Sequence, residues 1–232
     1  MPLDGLERRE AAVVLRLKPE PRPGKPLRVL CVGAHSDDLE IGCSGTVLTW
    51  LGGGTAIDVT WVVLSAGSER GDEARRSATR LLRGAVRRQV LLGDFRDGFF
   101  PAQYVEVKEF FERLKASTDP DVILTHHLQD RHQDHRLAAE LTWNTWRDHL
   151  ILEYEVAKFE GDLGQPNAYV PVSASVARRK ASHLRKHFAS QRARSWFKEE
   201  NFLALMRVRG VECRSSSGFA EAFHARKLVL QA

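Results

Sequence analysis

Two short polar segments of this chain combine side chains that bind metal ions and transfer protons. The first, residues 34–38, contains His35, Asp37 and Asp38, and the second, residues 130–135, contains two histidines and two aspartates. Imidazole and carboxylate together form a ligand set that suits zinc. Either segment alone is also compatible with a polar turn that caps a helix. Two such segments at one edge of a sheet favour a metal site.

The two segments supply enough groups for a hydrolytic metal centre. We predict that three of their residues bind one zinc ion: His35, Asp38 and His135. Three protein ligands leave an open position, which is typical of catalytic zinc, and such zinc lowers the pKa of a bound water to about 7. Asp37 is predicted to accept the proton of that water. His132, held by Asp134, is predicted to stabilise an oxyanion and to protonate a departing amine.

Strand-like and helix-like patterns alternate along the chain and predict how these segments are positioned. Apolar or β-branched runs predict strands at residues 27–34, 57–64, 89–92, 122–125 and 227–230. Helical periodicity predicts helices at residues 38–51, 73–82, 105–116, 135–146, 175–188 and 197–209. The alternation predicts a single α/β domain, a Rossmann-like three-layer sandwich with a mostly parallel sheet. Both polar segments follow a strand, and such sheets bind ligands at the carboxyl ends of their strands.

Composition limits the class of protein. The chain has 232 residues, 43% hydrophobic and 28% charged, which suits one globular domain. Residues 1–26 are proline-rich near their end and are predicted to be an extension, with the domain at 27–232. Three widely spaced cysteines do not suggest a disulfide framework. With no signal-peptide pattern and no apolar run of the ~20 residues that a membrane span needs, we expect a cytoplasmic protein.

The chain carries a net charge of +5, much of it in clusters such as Arg87-Arg88 and Arg178-Arg179-Lys180. Solvated helix faces are the simplest interpretation of these clusters. The alternative is attraction to an anionic partner such as a phosphate-bearing sugar. No fingerprint of a nucleic-acid-binding module accompanies the charge, so nucleic acid is not expected as a partner. The oligomeric state, including a homo-oligomer, is left open.

The two polar segments resemble the motifs of a known family. Residues 34–46 read Ala-His-Ser-Asp-Asp-Leu-Glu-Ile-Gly-Cys-Ser-Gly-Thr, and residues 132–135 read His-Gln-Asp-His. They are similar to the Ala-His-Pro-Asp-Asp-Glu and His-Pro-Asp-His motifs of the LmbE-like or PIG-L-like N-acetylglucosaminyl deacetylases. The resemblance implies the same zinc ligands, base and acid as above. It also implies the reaction, removal of an N-acyl group, typically N-acetyl, from an amino sugar or its conjugate.

Weaker matches extend the resemblance beyond the two motifs. Arg70 and Asp97 correspond to family positions that contact the substrate or close on it. Some members place a tyrosine just before the second motif, where it helps to hold the oxyanion; this chain has residues 126–131 there. Either Arg131 replaces the tyrosine as a substrate-binding residue or the role is absent. His126 and His127 are expected to be polar loop residues rather than ligands.

Two other functions remain open at this stage. A metal-dependent hydrolase of another amide or of a phosphoester would use similar groups, although a phosphatase often needs two metals and more carboxylates. A non-catalytic Rossmann-like binding module would need a phosphate-cradling glycine loop after the first strand. That turn is acidic here, since Asp37 and Asp38 follow Ser36. The identity of the amino sugar is not defined by the sequence.

Overall fold

The structure, a computed structural model, describes residues 15–229. Within this range the sheet has seven strands: β1 (Leu27–His35), β2 (Ile57–Ser65), β3 (Arg87–Leu92), β4 (Val122–His126), β5 (Leu150–Tyr154), β6 (Ala168–Val172) and β7 (Phe219–Ala225). The α-helices are α1 (Asp38–Gly42), α2 (Ser44–Gly52), α3 (Ser68–Leu81), α4 (Tyr104–Ser117), α5 (Gln133–Thr145), α6 (Ala174–His187) and α7 (Glu199–Glu212). Short 3-10 helices cover Phe100–Gln103 and Ala189–Gln191.

The strand order β3-β2-β1-β4-β5-β7-β6 positions the two polar segments. Strands β1 to β5 pair in parallel, whereas β7 is antiparallel to both β5 and β6. The chain winds outward from β1 towards β3 and then returns to β4 beside β1. The carboxyl ends of β1 and β4 therefore flank the crevice where such sheets bind ligands. The first polar segment follows β1 and the second follows β4.

Alternate residues of β1 point into two different cores, which makes the fold a three-layer sandwich. Val29 and Cys31 lie in a core with α1, α2, α3, α6 and α7, while Leu30 and Val32 face α4 and α5. This period of two is that of a strand buried on both faces. The predicted α/β class and the mostly parallel sheet are confirmed.

One predicted helix, residues 38–51, is wrong because the structure divides it at Cys43 into α1 and α2. The Lys180 ammonium donates a hydrogen bond to the carbonyl of Ile41 over 2.5 Å, near the end of α1. The Glu221 carboxylate accepts from the backbone N–H groups of Gly45 and Thr46, both at 2.7 Å. These contacts satisfy the backbone groups that a helix break exposes.

Other boundaries also differ from the predictions. Helix α3 begins at Ser68, and strands β5, β6 and β7 were not predicted. The expected strand at 227–230 is wrong for residues 227–229, which form no regular element, and Leu230 lies outside the described residues. Residues 15–26 contain no helix or strand, and residues 1–14 lie outside the described range. No helix in the described part of the chain is long and apolar enough to cross a bilayer. The cytoplasmic location stays a prediction.

Candidate metal centre

Three side chains from the two polar segments converge at the carboxyl ends of β1 and β4. The Nδ1 atom of His35 lies 3.1 Å from Nε2 of His135. The Oδ2 atom of Asp38 lies 3.3 Å from His35 Nδ1 and 3.4 Å from His135 Nε2. All three residues are buried, with 2 to 7% of their surface exposed. The fold thus brings together the three residues that the sequence singled out as ligands.

The spacing of these three atoms suits a small divalent ion. A tetrahedral zinc with bonds of about 2.0–2.1 Å separates its ligand atoms by roughly 3.3 Å. The measured separations of 3.1 to 3.4 Å match this value. Two imidazoles and one carboxylate are borderline ligands that zinc accepts. Burial raises the pKa of Asp38, but the charges of three histidines outweigh burial and hold this pKa well below its ordinary value: His135, His126 and His35. Asp38 is therefore ionised, as a ligand must be.

His35 is oriented by carboxylates on the ring nitrogen that faces away from the cluster. Its Nε2 atom lies 3.1 Å from Oδ1 of Asp97 and 3.3 Å from Oδ2 of Asp134. A metal-bound histidine usually donates its second ring N–H to such a group, which fixes the tautomer. Burial opposes protonation of His35, but Asp38, Asp134 and Asp97 raise the pKa of its imidazole well above the ordinary value. A metal at Nδ1 would therefore take the place of a proton on that atom, while Nε2 keeps its own.

His135 is oriented in the same way by Asp130, whose role the sequence analysis missed. The Nδ1 atom of His135 lies 2.9 Å from Oδ2 of Asp130. That oxygen also accepts a hydrogen bond from Lys158 Nζ over 2.9 Å, and Oδ1 accepts one from the backbone of His132. Asp130 heads the second segment, so the spacing of five residues to His135 was a usable signal. Lys158 lies 28 residues after Asp130, and no sequence pattern indicated their contact.

Asp37 has a buried carboxylate oxygen without a partner. Its Oδ1 atom accepts a hydrogen bond from Nη2 of Arg70 over 3.2 Å, whereas Oδ2 is buried with no hydrogen bond among the described residues. Burial, together with the charge of Asp38, raises the pKa of Asp37 to about 6, although Arg70 opposes the shift. A carboxylate with this pKa is suited to accept a proton near neutral pH. An unpaired buried oxygen also calls for a polar partner such as water.

His132 precedes α5 and is held by backbone rather than by a carboxylate. Its Nδ1 atom accepts a hydrogen bond from the N–H of Asp134 over 3.3 Å. Burial and the nearby charge of His35 lower the pKa of His132. A neutral imidazole that accepts at Nδ1 carries its proton on Nε2. The expected pairing of the His132 ring with the Asp134 carboxylate is therefore not formed.

The Asp134 carboxylate instead anchors the loop that follows β3. Its oxygens accept hydrogen bonds from the backbone N–H groups of Gly98, over 2.6 Å, and Phe100, over 3.1 Å. Gly98 has a φ of 80°, a backbone conformation that residues other than glycine rarely adopt. The loop carries Asp97, whose Oδ2 accepts a hydrogen bond from Nη1 of Arg70 over 3.0 Å. Asp134 thus fixes Asp97 and Arg70 beside the cluster.

Of two further expectations about this region, one needs correction and the other stays a prediction. His126 is not a loop residue but the last residue of β4, fully buried and stacked on His135 with ring centroids 3.8 Å apart. Its Nε2 atom accepts the N–H of Ala34 over 2.9 Å and lies 3.1 Å from Asp38 Oδ2, so it adjoins the cluster. Arg131 is exposed, and its side chain forms no hydrogen bond within the described residues. Its role in binding the substrate stays a prediction.

Comparison with known proteins identifies the family. Residues 30–146 match the PIG-L family, described as GlcNAc-PI de-N-acetylase. The chain belongs to this family, and the family predicted from the two motifs is confirmed. N-deacetylation, a hydrolytic reaction that the motifs also predicted, is confirmed at the level of the family.

Several solved structures share this fold. The N,N'-diacetylchitobiose deacetylase from Pyrococcus horikoshii shows a TM-score of 0.64 at 20% identity, over 85% of this chain and 83% of that one. The zinc-inhibited form of teicoplanin deacetylase Orf2 shows a TM-score of 0.67 at 13% identity, over 85% and 97%. A 4-carboxy-2-hydroxymuconate hydratase, GalB from Pseudomonas putida KT2440, shows 0.65 at 19% identity, over 89% and 98%. At these identities the likeness shows the fold, and the reaction must be argued from the site.

Proposed function

We propose that this protein uses one zinc ion to hydrolyse the N-acyl group, typically N-acetyl, of an amino sugar or its conjugate. The observation that carries the proposal is the unpaired, buried Oδ2 atom of Asp37 beside a cluster of three ligand atoms. A general base with an unsatisfied oxygen next to a metal site is the arrangement that activates water for attack on a carbonyl. Membership of a family of de-N-acetylases supports an amide as the bond that is cleaved.

His35 Nδ1, His135 Nε2 and Asp38 Oδ2 would hold the zinc, because their separations of 3.1 to 3.4 Å fit its coordination. When bound, the zinc would lower the pKa of a water and polarise the acyl carbonyl. Asp130 and Asp134 would keep the two imidazoles in their ligand tautomers through the ring nitrogens that face away.

Asp37 would accept the proton of the attacking water. Arg70 limits how far the pKa of Asp37 rises, since its guanidinium favours the ionised carboxylate. After attack, the same carboxyl group would pass the proton to the departing nitrogen. The amine then leaves neutral, and the acyl group leaves as a carboxylic acid. Atoms balance as amide plus water giving amine plus acid.

His132 would bind the oxyanion rather than act as the acid. Its Nδ1 atom already accepts the Asp134 N–H, so the proton on Nε2 is the one available to donate. A lowered pKa keeps the ring neutral, and a neutral imidazole stabilises an oxyanion by hydrogen bonding. This refines the role predicted from sequence, which assigned both functions to His132.

Arg70 and Asp97 form the polar rim that would bind the sugar. The Asp97 side chain is 52% exposed and the Arg70 side chain 31% exposed, so both can reach a ligand. A carboxylate accepts from sugar hydroxyls and a guanidinium donates to sugar oxygens. Because Arg70 also contacts Asp37, binding of the sugar and orientation of the base are coupled through one side chain.

The proposal is tested by incubating the zinc-loaded protein with a panel of N-acetyl amino sugars and their conjugates. Free amine and acetate should appear in equal amounts with at least one compound. Asp37→Asn serves as the matched control, because it should retain zinc and release both products far more slowly. A panel in which no N-acyl compound yields amine, while a phosphoester in the same assay is cleaved, would contradict the proposal.

A further inference from the structure

Basic side chains of α3 and α6 form a continuous surface that the proposed chemistry does not use. The two helices touch, since Ser77 Oγ lies 2.8 Å from His183 Nε2. We define the α3–α6 basic face by the basic residues at this contact, four of which are arginine or lysine: Arg76 and Arg80 on α3, and Arg179, His183, Lys186 and His187 on α6. The four arginine and lysine residues of the set are exposed.

The charge of this face is not balanced by acidic residues. The sequence contains no aspartate or glutamate between residues 74 and 90 or between residues 174 and 198. Within residues 15–229, the ion pair that involves α6 at the surface joins Arg185 to Glu199 over 3.5 Å. The arginine and lysine residues of the basic face have no carboxylate partner in that range. The positive charge therefore points to solvent unneutralised.

The neighbouring positive charges add to the effect of burial on two histidines of this face. Burial, followed by the charges of neighbours that include Arg179 and Arg80, lowers the pKa of His183 to about 4. Burial and the charges of Lys186, Arg76 and Arg80 lower the pKa of His187. Cations of one helix thus act on groups of the other, so the face is electrostatically one unit. Like charges at this spacing destabilise a helix, which makes an anionic partner favourable.

The form of the face indicates a broad partner rather than a small anion. The two cavities found among the described residues are lined by residues outside this face. Neither of them therefore offers a pocket on the face that could enclose a small anion. Both helices also bury one side in the core, through residues such as Ala78 and Leu184. Their exposed sides form a surface layer, and no fingerprint of a nucleic-acid-binding module accompanies the charge. Binding to an anionic lipid surface, in contrast, requires only exposed cations that lie in one layer of the protein.

We propose that the α3–α6 basic face docks this protein on membranes rich in anionic lipids. Arg70 lies in the first turn of α3, and Arg76 follows about 9 Å further along the helix. The basic face therefore begins within two helical turns of Arg70, which lies at the rim of the site. The docking is electrostatic and does not depend on the hydrolytic chemistry.

Flotation with lipid vesicles tests the docking. The full-length protein should float with vesicles of phosphatidylcholine mixed with phosphatidylglycerol and not with phosphatidylcholine alone. High salt should abolish the association, since it screens exposed charges. Each lysine or arginine near an anionic bilayer strengthens binding by about fivefold. The double substitution Arg80→Glu and Arg179→Glu should weaken binding at least tenfold, with unchanged release of amine from soluble substrates.

A matched control separates the face from the net charge. Arg113→Glu with Lys115→Glu makes the same charge change on α4, which lies on the opposite side of the sheet. This variant should bind vesicles almost as the unmodified protein does. Equal loss of binding in both variants would overturn the proposal. So would equal binding to neutral and anionic vesicles, or binding to an RNA or DNA duplex while anionic vesicles fail to bind.

Discussion

Arg70 donates a hydrogen bond to Asp37 Oδ1 over 3.2 Å and leaves Oδ2 of the same carboxylate buried without a partner. The contact favours the ionised carboxylate, while burial and the charge of Asp38 favour the neutral one. The balance places the pKa of Asp37 at about 6, which keeps a general base effective near neutral pH. Arg70 also contacts Asp97, so one guanidinium connects the base to the exposed rim of the site.

Replacing the base should separate metal binding from turnover. Asp37→Asn keeps the shape of the side chain but cannot accept a proton. We expect zinc content to stay the same and kcat to fall by about 10²–10⁴-fold, the usual contribution of a general base. Zinc analysis and amine release measure the two effects. Asp72→Asn, at an exposed position of α3, is the control and should change neither. Loss of zinc from Asp37→Asn would mean that Asp37 is a ligand instead.

Removing the guanidinium should shift the pH dependence. The ionised form of Asp37 is the active one, so kcat/KM falls as the pH drops through its pKa. Arg70 lowers that pKa, and therefore Arg70→Met should move the acid limb of the profile to higher pH by about one unit. Arg75→Met, on the exposed side of the same helix, should leave the limb in place. A limb that moves to lower pH would contradict the assigned contact.

Asp130 should matter for metal affinity although it is not a ligand. Its Oδ2 atom lies 2.9 Å from Nδ1 of His135 and fixes the ring with Nε2 towards the cluster. Asp130→Asn should weaken zinc binding by about 10–100-fold, as loss of such partners does in other metal sites. Competition with a chelator measures the affinity. Asp119→Asn, at an exposed ion pair, should have no effect. Unchanged affinity in Asp130→Asn would show that His135 does not depend on this contact.

Lys180 should contribute to stability through its buried pair with Glu221. The two side chains are 3% and 2% exposed, and Lys180 Nζ lies 2.6 Å from Oε1 of Glu221. Lys180→Met leaves the carboxylate buried without its cation, and we expect a loss of about 3–5 kcal/mol in the free energy of unfolding. Urea denaturation measures it. The exposed pair of Lys108 and Glu112 provides the control, since Lys108→Met should lower the free energy of unfolding far less. Equal losses would contradict the role of burial.

Features set by local sequence could be predicted. The apolar run of β1 and the acidic turn after it are contiguous in sequence. The strand, the turn and the position of the turn at the carboxyl ends of the strands therefore follow from the sequence pattern alone. The same holds for β4 and the second polar segment. His35, Asp38 and His135 could be singled out because each lies in one of these two segments, whose chemistry is concentrated in few residues.

Features set by distant partners could not be predicted. The break between α1 and α2 depends on Lys180 and Glu221, which lie 139 and 176 residues from their backbone partners. The Asp134 carboxylate anchors Gly98, 36 residues earlier, instead of pairing with His132 as expected. Strand β7 was missed because Glu221 interrupts its apolar pattern, although this carboxylate points inward to cap α2. In each case a tertiary contact overrides the local signal.

A zinc titration of amine release tests the central claim most directly. Protein freed of metal by a chelator would receive zinc in known increments, and release of amine from an N-acetyl amino sugar would be followed at each step. The account predicts no release without metal and a linear rise that ends at one zinc per chain. Release that persists in the chelator, or that requires two zinc ions per chain, would contradict a single site on His35, Asp38 and His135.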